Sequence, residues 1–289
     1  MTYALVLGGG GIPGVAWETG LLNGLQEAGL DLTGADLVVG TSSGSLVGAQ
    51  VATGVALDWL YERQRQGERG QERPPDLGPL LGFFAGRGPR NGVARTRPRP
   101  SCEVLAWIGA QARAATTRFN EASRLEVIET RLPVHEWPDR ELLVTAVDTG
   151  DGSFVTWGRS SGVRLPVAVA SSCAMPWVYP PVTIGGRRYM DGGMRSTTNA
   201  DLAAGHDLVV IVAPMGARPV TARALEEEVA GLRAAGSQVE VVVPDTAALD
   251  EMGPNPLDPA RRAAAAAAGR TQAAAVAAAL ASIHTMVSA

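Results

Sequence analysis

Short apolar runs alternate with longer helical patterns along most of the chain. Tyr3–Leu7 is an apolar run that ends in four glycines, and Val15–Ala28 then places apolar residues at helical spacing. The same order returns with the short run Asp36–Val39 and the helical pattern Leu46–Val55. Each of these two stretches predicts a strand, a tight turn and a helix, so the strand–turn–helix unit occurs twice in the first 55 residues.

Strands and helices continue to alternate in the second half of the chain. Further strands are predicted at Glu141–Val147, Ser153–Trp157, Asp207–Ala213 and Gln238–Val243. A helix over Ala222–Ala235 separates the last two strands, and an N-cap aspartate begins a last helix over Asp258–Ile283. Such alternation is typical of an α/β protein with a mostly parallel sheet and helices on both faces. We expect a single domain over residues 1–289.

The segment 62–100 interrupts this alternation. It holds nine arginines, four acidic residues and many glycines and prolines around the apolar stretch Leu77–Phe84. We place it within a variable, cap-like insertion at about 57–135. Two interpretations are open: a cap whose apolar side chains meet lipid or cover a pocket while its arginines meet anionic head groups, or a solvated insertion.

Composition and charge narrow the class of protein. The net charge of −4 argues against a general nucleic-acid binder, because phosphate binding rests on an excess of cations. The two cysteines, Cys102 and Cys173, have neither metal-ligand nor disulfide-framework spacing, which favours a reducing compartment. The sequence has no basic signal-peptide region and no apolar run of about 18 residues, so we expect a cytoplasmic protein.

Two pentapeptides match the Gly-x-Ser-x-Gly pattern of a nucleophilic serine, GTSSG at 40–44 and GRSSG at 158–162. Such a serine lies on a tight turn between a strand and a helix, where glycines relieve crowding. Ser42 has this context, with a predicted strand before it and a predicted helix after it. Ser160 follows the second arm of a predicted hairpin, so we interpret GRSSG as a loop.

A serine hydroxyl needs a base, and no histidine is well placed to be one. We assign surface or capping roles to His135, His206 and His284. An aspartate can serve instead if a low-dielectric site raises its basicity. Asp191 is the candidate, because it leaves a predicted strand into a turn with two glycines. The alternative interpretation of this motif is an ordinary Asp-Gly-Gly hairpin turn.

The glycine turn after the first strand offers backbone N–H donors for an anionic intermediate. Gly9, Gly10 and Gly11 precede a predicted helix, as such donors do in an oxyanion hole. With Gly14 they also match the Gly-x-Gly-x-x-Gly fingerprint of dinucleotide-binding proteins. That alternative requires an acidic residue at the end of the second strand, which here reads Val-Val-Gly.

Four stretches occur in a definite order: the glycine turn at 8–14, GTSSG at 40–44, ASSCAMP at 170–176 and DGG at 191–193. Together they resemble the patatin-like phospholipases. The likeness covers residues 1–55 and about 140–245, while the middle of the chain has no specific match.

This resemblance implies a three-layer α/β/α fold and a serine acyl hydrolase that uses a Ser–Asp dyad, with no metal and no cofactor. Ser42 would be the nucleophile and Asp191 the base. The turn around the nucleophile would depend on Gly40 and Gly44. The oxyanion hole would be formed by the N–H groups of Gly9, Gly10 and Gly11.

The expected substrates are carboxylic esters of lipids, phospholipids above all, with contact to a membrane surface and no nucleic-acid partner. Pro13 departs from the family pattern, since many members carry arginine or lysine there, and proline supplies neither a cation nor an N–H. Two alternatives remain open: a general carboxylesterase acting on soluble esters, and a non-catalytic lipid-binding or regulatory protein that keeps the fold.

Overall fold

The computed structural model of the protein describes residues 1–67 and 99–283. The strands in these residues are β1 (Tyr3–Leu7), β2 (Leu37–Gly40), β3 (Glu141–Asp148), β4 (Phe154–Trp157), β5 (Val182–Ile184), β6 (Arg187–Asp191), β7 (Leu208–Val212) and β8 (Gln238–Val242). The α-helices are α1 (Gly11–Glu27), α2 (Ser43–Ala52), α3 (Leu57–Gln66), α4 (Cys102–Ala114), α5 (Glu121–Arg131), α6 (Leu165–Ser172), α7 (Pro219–Ala234), α8 (Thr246–Met252) and α9 (Arg262–Ala279).

The described strands form one mostly parallel sheet. Five of them lie side by side in the order β8-β7-β1-β2-β3, and each of these pairs is parallel. Three short strands are added antiparallel: β4 and β6 pair with β3, and β5 pairs with β6. The α/β class with a mostly parallel sheet, which the alternation of strands and helices predicts, is confirmed.

Helices cover both faces of this sheet. Because side chains alternate along a strand, Leu5 and Leu7 of β1 point into a core shared with α1, α2 and α9. Their neighbours Ala4 and Val6 point the other way, into a second core that includes Leu225 of α7. These buried layers give the three-layer α/β/α arrangement that the resemblance implies.

Two strands meet end to end along one edge of β3. Val144 pairs with Gly40 at the end of β2, while Ala146 pairs with Asp191 at the end of β6. Both residues of β3 also pair with β4, which occupies its other edge, so β2 and β6 share the same edge. The strands run in opposite directions, since β2 is parallel and β6 antiparallel to β3. Their carboxyl ends therefore face each other across Thr145.

Several element boundaries differ from the sequence-based prediction. Helix α2 begins at Ser43 rather than Leu46, because the turn after β2 passes directly into the helix. Helix α1 begins at Gly11 rather than Val15, with Gly11 at a φ of 66° that favours glycine. Of the expected insertion at about 57–135, residues 68–98 with the apolar stretch 77–84 lie outside the described residues, while its two ends form α3, α4 and α5.

The first and last helices pack so closely that glycine is required between them. A Cβ built on Gly20 of α1 would lie 2.0 Å from the backbone oxygen of Ala266 in α9. In the other direction, a Cβ on Gly269 of α9 would lie 2.3 Å from the backbone oxygen of Trp17. This contact fixes α1, which follows the glycine turn, against the rest of one helical layer.

We predict that Gly20→Ala lowers the free energy of unfolding by about 1–3 kcal/mol, because the added methyl group meets backbone that cannot move aside. Gly231→Ala is the matched control, since nothing lies within 4 Å of its added methyl group in α7. The control should raise stability by about 0.5–1 kcal/mol, as alanine does in a helix interior. Urea unfolding of both variants tests this, and a stabilised Gly20→Ala would contradict it.

Candidate active site

Ser42 lies on a sharp turn between β2 and α2. Its backbone has φ 53° and ψ −122°, a conformation that residues with a side chain rarely adopt. The flanking glycines make room for this turn: a Cβ on Gly40 would lie 2.5 Å from the Cα of Ser45, and one on Gly44 would lie 2.1 Å from the oxygen of Leu7. The Gly-x-Ser-x-Gly spacing thus reflects two positions where only a hydrogen fits.

The side chains of Ser42 and Asp191 meet across the gap between β2 and β6. The Ser42 hydroxyl donates a hydrogen bond of 2.7 Å to Oδ2 of Asp191. The backbone N–H of Gly193 donates to Oδ1 of the same carboxylate, also at 2.7 Å. Ser42 is 8% exposed and Asp191 2% exposed. The two residues that the sequence predicts as a dyad are therefore adjacent and buried.

Burial controls the basicity of this carboxyl group. It raises the pKa of Asp191 from its ordinary value to about 7, because the charged form loses its hydration. The hydrogen bonds from Ser42 and Gly193 act in the opposite direction, since both favour the carboxylate. Desolvation is the larger effect, so Asp191 can take up and release a proton near neutral pH.

The last residue of α6 and the two residues after it contact the backbone of both Ser42 and Asp191. The N–H of Ser42 donates to Oγ of Ser172 at 2.9 Å, and the thiol of Cys173 donates to the carbonyl oxygen of Ser42 at 3.1 Å. The N–H of Asp191 donates to the carbonyl oxygen of Ala174 at 3.0 Å. The stretch 170–176 contributes to the family resemblance, but its sequence indicates no role for these individual residues.

A buried asparagine contacts the dyad's neighbours from the other side. The side-chain amide of Asn199 donates to Oγ1 of Thr41 at 3.1 Å and to the carbonyl oxygen of Gly192 at 3.3 Å. Arg195 donates to the amide oxygen at 2.7 Å, which fixes the amide's orientation. Sequence reasoning missed Asn199, because a single polar residue in a loop has no periodic pattern.

The three glycines of the predicted oxyanion hole differ in their hydrogen bonds. The N–H of Gly9 donates to the carbonyl oxygen of Thr197 at 2.7 Å, and that of Gly10 donates to Oγ of Ser43 at 2.6 Å. Among the described residues, the N–H groups of Gly11 and Ser43 have no acceptor. Gly11 and Ser43 both line the pocket that contains the dyad.

That pocket combines an apolar surface with arginine side chains. Its apolar lining includes Val15, Leu46, Leu60, Ile128, Met175 and Leu257. The arginines that line it are Arg63, Arg124, Arg131 and Arg262. An ester with an apolar chain and a polar or anionic group would find surfaces of both kinds beside Ser42.

The remaining candidates lie away from the dyad. Ser160 is exposed in the short 3₁₀ turn Arg159–Ser161, which agrees with its interpretation as a loop residue. The ring of exposed His135 contacts the carbonyl oxygen of Glu129, and Nδ1 of His206 contacts that of Ala203. His284 lies outside the described residues. Within residues 1–67 and 99–283, no group of three His, Cys, Asp or Glu side chains could hold a metal ion.

Comparison with known proteins assigns the family. The patatin-like phospholipase family matches residues 5–204, more than half of the chain, and the chain belongs to this family. No curated protein sequence matches it. None of the helices in the part of the chain that is described has both the length and the apolarity to cross a membrane.

Two solved structures are similar to most of this chain. VipD from Legionella pneumophila is 14% identical, with a TM-score of 0.45 over 96% of this chain and 66% of VipD. The type III effector protein ExoU is 16% identical, with a TM-score of 0.41 over 96% of this chain and 53% of ExoU. The chain thus spans slightly less than two thirds of VipD and about half of ExoU.

The raised pKa of Asp191 predicts that this residue lowers stability at neutral pH. Between about pH 4 and pH 7 the native carboxyl keeps its proton, while the same group in the unfolded chain has lost it. The unfolded state then binds fewer protons, so this group lowers the free energy of unfolding as the pH rises. Asp191→Asn removes the effect.

Thermal unfolding of the wild type and of Asp191→Asn across this pH range measures the effect. We expect the Tm of the variant, relative to wild type, to increase from about pH 4 to about pH 7. A difference in Tm that stays constant over the whole range would mean that the Asp191 carboxyl is not buried with a raised pKa.

Proposed function

We propose that the protein is a serine acyl hydrolase that cleaves carboxylic esters of lipids, with phospholipids as the substrate class. The observation that carries this proposal is the buried hydrogen bond of 2.7 Å between Oγ of Ser42 and Oδ2 of Asp191. A hydroxyl at this distance from a carboxylate whose pKa is about 7 has a base within reach of its proton. Membership of the patatin-like phospholipase family supports the choice of lipid esters.

The first half of the reaction forms an acyl-enzyme. Ser42 Oγ attacks the ester carbonyl carbon while Asp191 accepts the hydroxyl proton, and the carbonyl oxygen becomes an oxyanion. The tetrahedral intermediate then expels the alcohol, which takes the proton from Asp191, and the acyl group stays on Ser42. In the second half Asp191 accepts a proton from water as the water oxygen attacks the acyl carbon. The second tetrahedral intermediate then breaks its bond to Ser42 Oγ, which takes the proton back from Asp191, and the fatty acid leaves.

In the proposed reaction, backbone N–H groups of residues that line the pocket stabilise the oxyanion. Gly11 and Ser43 supply these donors in our proposal, because both N–H groups lack an acceptor among the described residues and both residues line the pocket. Ser43 is also the first residue of α2, whose N-terminus favours negative charge. Gly9 and Gly10 hold the loop through their own hydrogen bonds.

Pro13 is compatible with catalysis at this site. It is the third residue of α1, where a backbone N–H has no partner within the helix, so the proline removes no helical hydrogen bond. Gly11 precedes it and keeps its N–H available. These positions favour an active enzyme over a non-catalytic protein that retains the fold.

Contact with a membrane surface is supported by helix α3, which borders the pocket. Trp59 is 44% exposed, and the guanidinium of Arg63 lies 4.8 Å from the centre of its ring. Arg63 also lines the pocket. Tryptophan and arginine side chains are both suited to the boundary between lipid head groups and acyl chains.

Labelling with a fluorophosphonate probe, which traps activated serines, tests the proposed chemistry. Labelling and hydrolysis should disappear with Ser42→Ala, because the nucleophile is gone. Asp191→Ala should lower kcat by a factor of about 100 or more, since general-base catalysis contributes about 10²–10⁴. Ser160→Ala is the control, because Ser160 lies in the second Gly-x-Ser-x-Gly stretch and should leave labelling and turnover at the wild-type level.

The substrate class is tested on the same proteins with phospholipid vesicles and a short soluble ester. A lipid hydrolase should turn over the vesicles with a higher kcat/KM per ester than the soluble substrate. Turnover of the soluble ester alone would indicate a general carboxylesterase. A wild-type protein that neither labels nor cleaves either substrate would contradict the proposed function.

A further inference from the structure

The backbone of Ser42 is held in a conformation that it would leave if its contacts were removed. A φ of 53° with a ψ of −122° is unfavourable for any residue that has a Cβ, so surrounding hydrogen bonds must maintain it. The position of the Ser42 hydroxyl, and its hydrogen bond to Asp191, depend on this backbone conformation.

The carbonyl oxygen of Ser42 has more hydrogen-bond partners among the described residues than its backbone N–H has. Its carbonyl oxygen accepts from the backbone N–H of Ser45 at 2.9 Å, from the Ser45 hydroxyl at 2.6 Å and from the Cys173 thiol at 3.1 Å. Its N–H has one acceptor among the described residues, Oγ of Ser172 at 2.9 Å. Removal of that single oxygen would leave a buried donor without a partner.

Ser172 is itself rigidly placed. It is the last residue of α6 and is 0% exposed. Two residues later, the carbonyl oxygen of Ala174 accepts the N–H of Asp191 at 3.0 Å. One short segment therefore receives backbone N–H donors from the nucleophile and from the base.

We propose that Ser172 is a positioning residue for the reaction, which holds Ser42 in its strained conformation and aims its hydroxyl at Asp191. The proposal rests on the function assigned to Ser42 and Asp191 above. Ser172 acts through the Ser42 backbone and takes no part in proton transfer.

Loss of the Ser172 hydroxyl should change both the rate and its pH dependence. The Ser42 turn would relax toward a more favourable φ, and Oγ would move away from the carboxylate. Because the hydrogen bond from Ser42 lowers the pKa of Asp191, its weakening should raise that pKa further. A general loss of stability would not move the pH profile in this way.

The neighbouring serine provides a matched control. Ser171 lies on the same helix and is also 0% exposed. Its hydroxyl accepts from the indole N–H of Trp157 at 3.0 Å and donates to the carbonyl oxygen of Ala168 at 2.7 Å. Ser171→Ala removes the same atom from a similar environment without touching the Ser42 backbone.

The experiment compares steady-state hydrolysis of a soluble ester by wild type, Ser172→Ala and Ser171→Ala from about pH 5 to pH 9, around the pKa range of the base. Ser172→Ala should lower kcat about 10- to 100-fold with KM within about twofold, the size of effect that misplacement of a reacting group produces. Its pH midpoint should rise. Ser171→Ala should keep the wild-type kcat and midpoint at a temperature where both variants are folded.

Three results would overturn the proposal: a kcat of Ser172→Ala within about threefold of wild type, an unchanged midpoint, or an equal loss in Ser171→Ala. If Ser172→Ala does not fold, Ser172→Cys replaces it, since a thiol of similar size accepts hydrogen bonds only weakly. Failure of the wild type to hydrolyse any ester would contradict the function itself, and is distinguishable because it appears before any variant is made.

Discussion

The shared edge of β3 is the constraint on which the candidate active site depends. Ser42 and Asp191 are separated by 149 positions in the sequence, yet their side chains meet because β2 and β6 approach Thr145 from opposite ends of the same edge. A sheet with only parallel strands would bring serine and aspartate to the same end of neighbouring strands. Here the antiparallel strand β6 places Asp191, the proposed base, opposite Ser42, the proposed nucleophile, and the chain turns away at Gly192 and Gly193.

Burial of Ser42 and Asp191 lowers the free energy of unfolding at neutral pH, but it also raises the basicity of Asp191. Asp191 is 2% exposed, so its carboxyl group loses most of its hydration, and two hydrogen bonds from the described residues, donated by Ser42 and Gly193, offset part of that loss. The same desolvation gives Asp191 a pKa of about 7, which suits a base at neutral pH. On one side the N–H groups of Ser42 and Asp191 donate to Ser172 Oγ and to the Ala174 carbonyl oxygen. On the other side the Asn199 amide donates to Thr41 and Gly192. These hydrogen bonds hold the surrounding turns against the unfavourable burial and against the strain at Ser42.

Much of the fold, and the pairing of Ser42 with Asp191, could be predicted from the sequence. Apolar runs separated by helical patterns carry strong signals, and glycine at 40 and 44 marks a turn that admits no side chain. The end-to-end placement of β2 and β6 could not be predicted, because short strands acquire their partners from tertiary contacts. The contacts of Ser172 and Asn199 could not be predicted either, since Ser172 accepts from the distant backbone N–H of Ser42 and Asn199 donates to the distant Thr41 hydroxyl. The sequence predicts that Gly9 and Gly10 lie in a turn. It does not predict that their N–H groups donate to Thr197 and Ser43, because these acceptors lie in other segments of the chain.

In the proposed reaction, Ser42 carries the acyl group between the two halves of the catalytic cycle. The most direct measurement incubates the protein with a p-nitrophenyl ester, quenches it in acid within the first turnover, and locates the added acyl mass by peptide mapping. We expect an acyl adduct at Ser42 in the wild type and no adduct in Ser42→Ala. Sustained hydrolysis by Ser42→Ala, or an adduct at Ser160 instead, would contradict the proposed reaction.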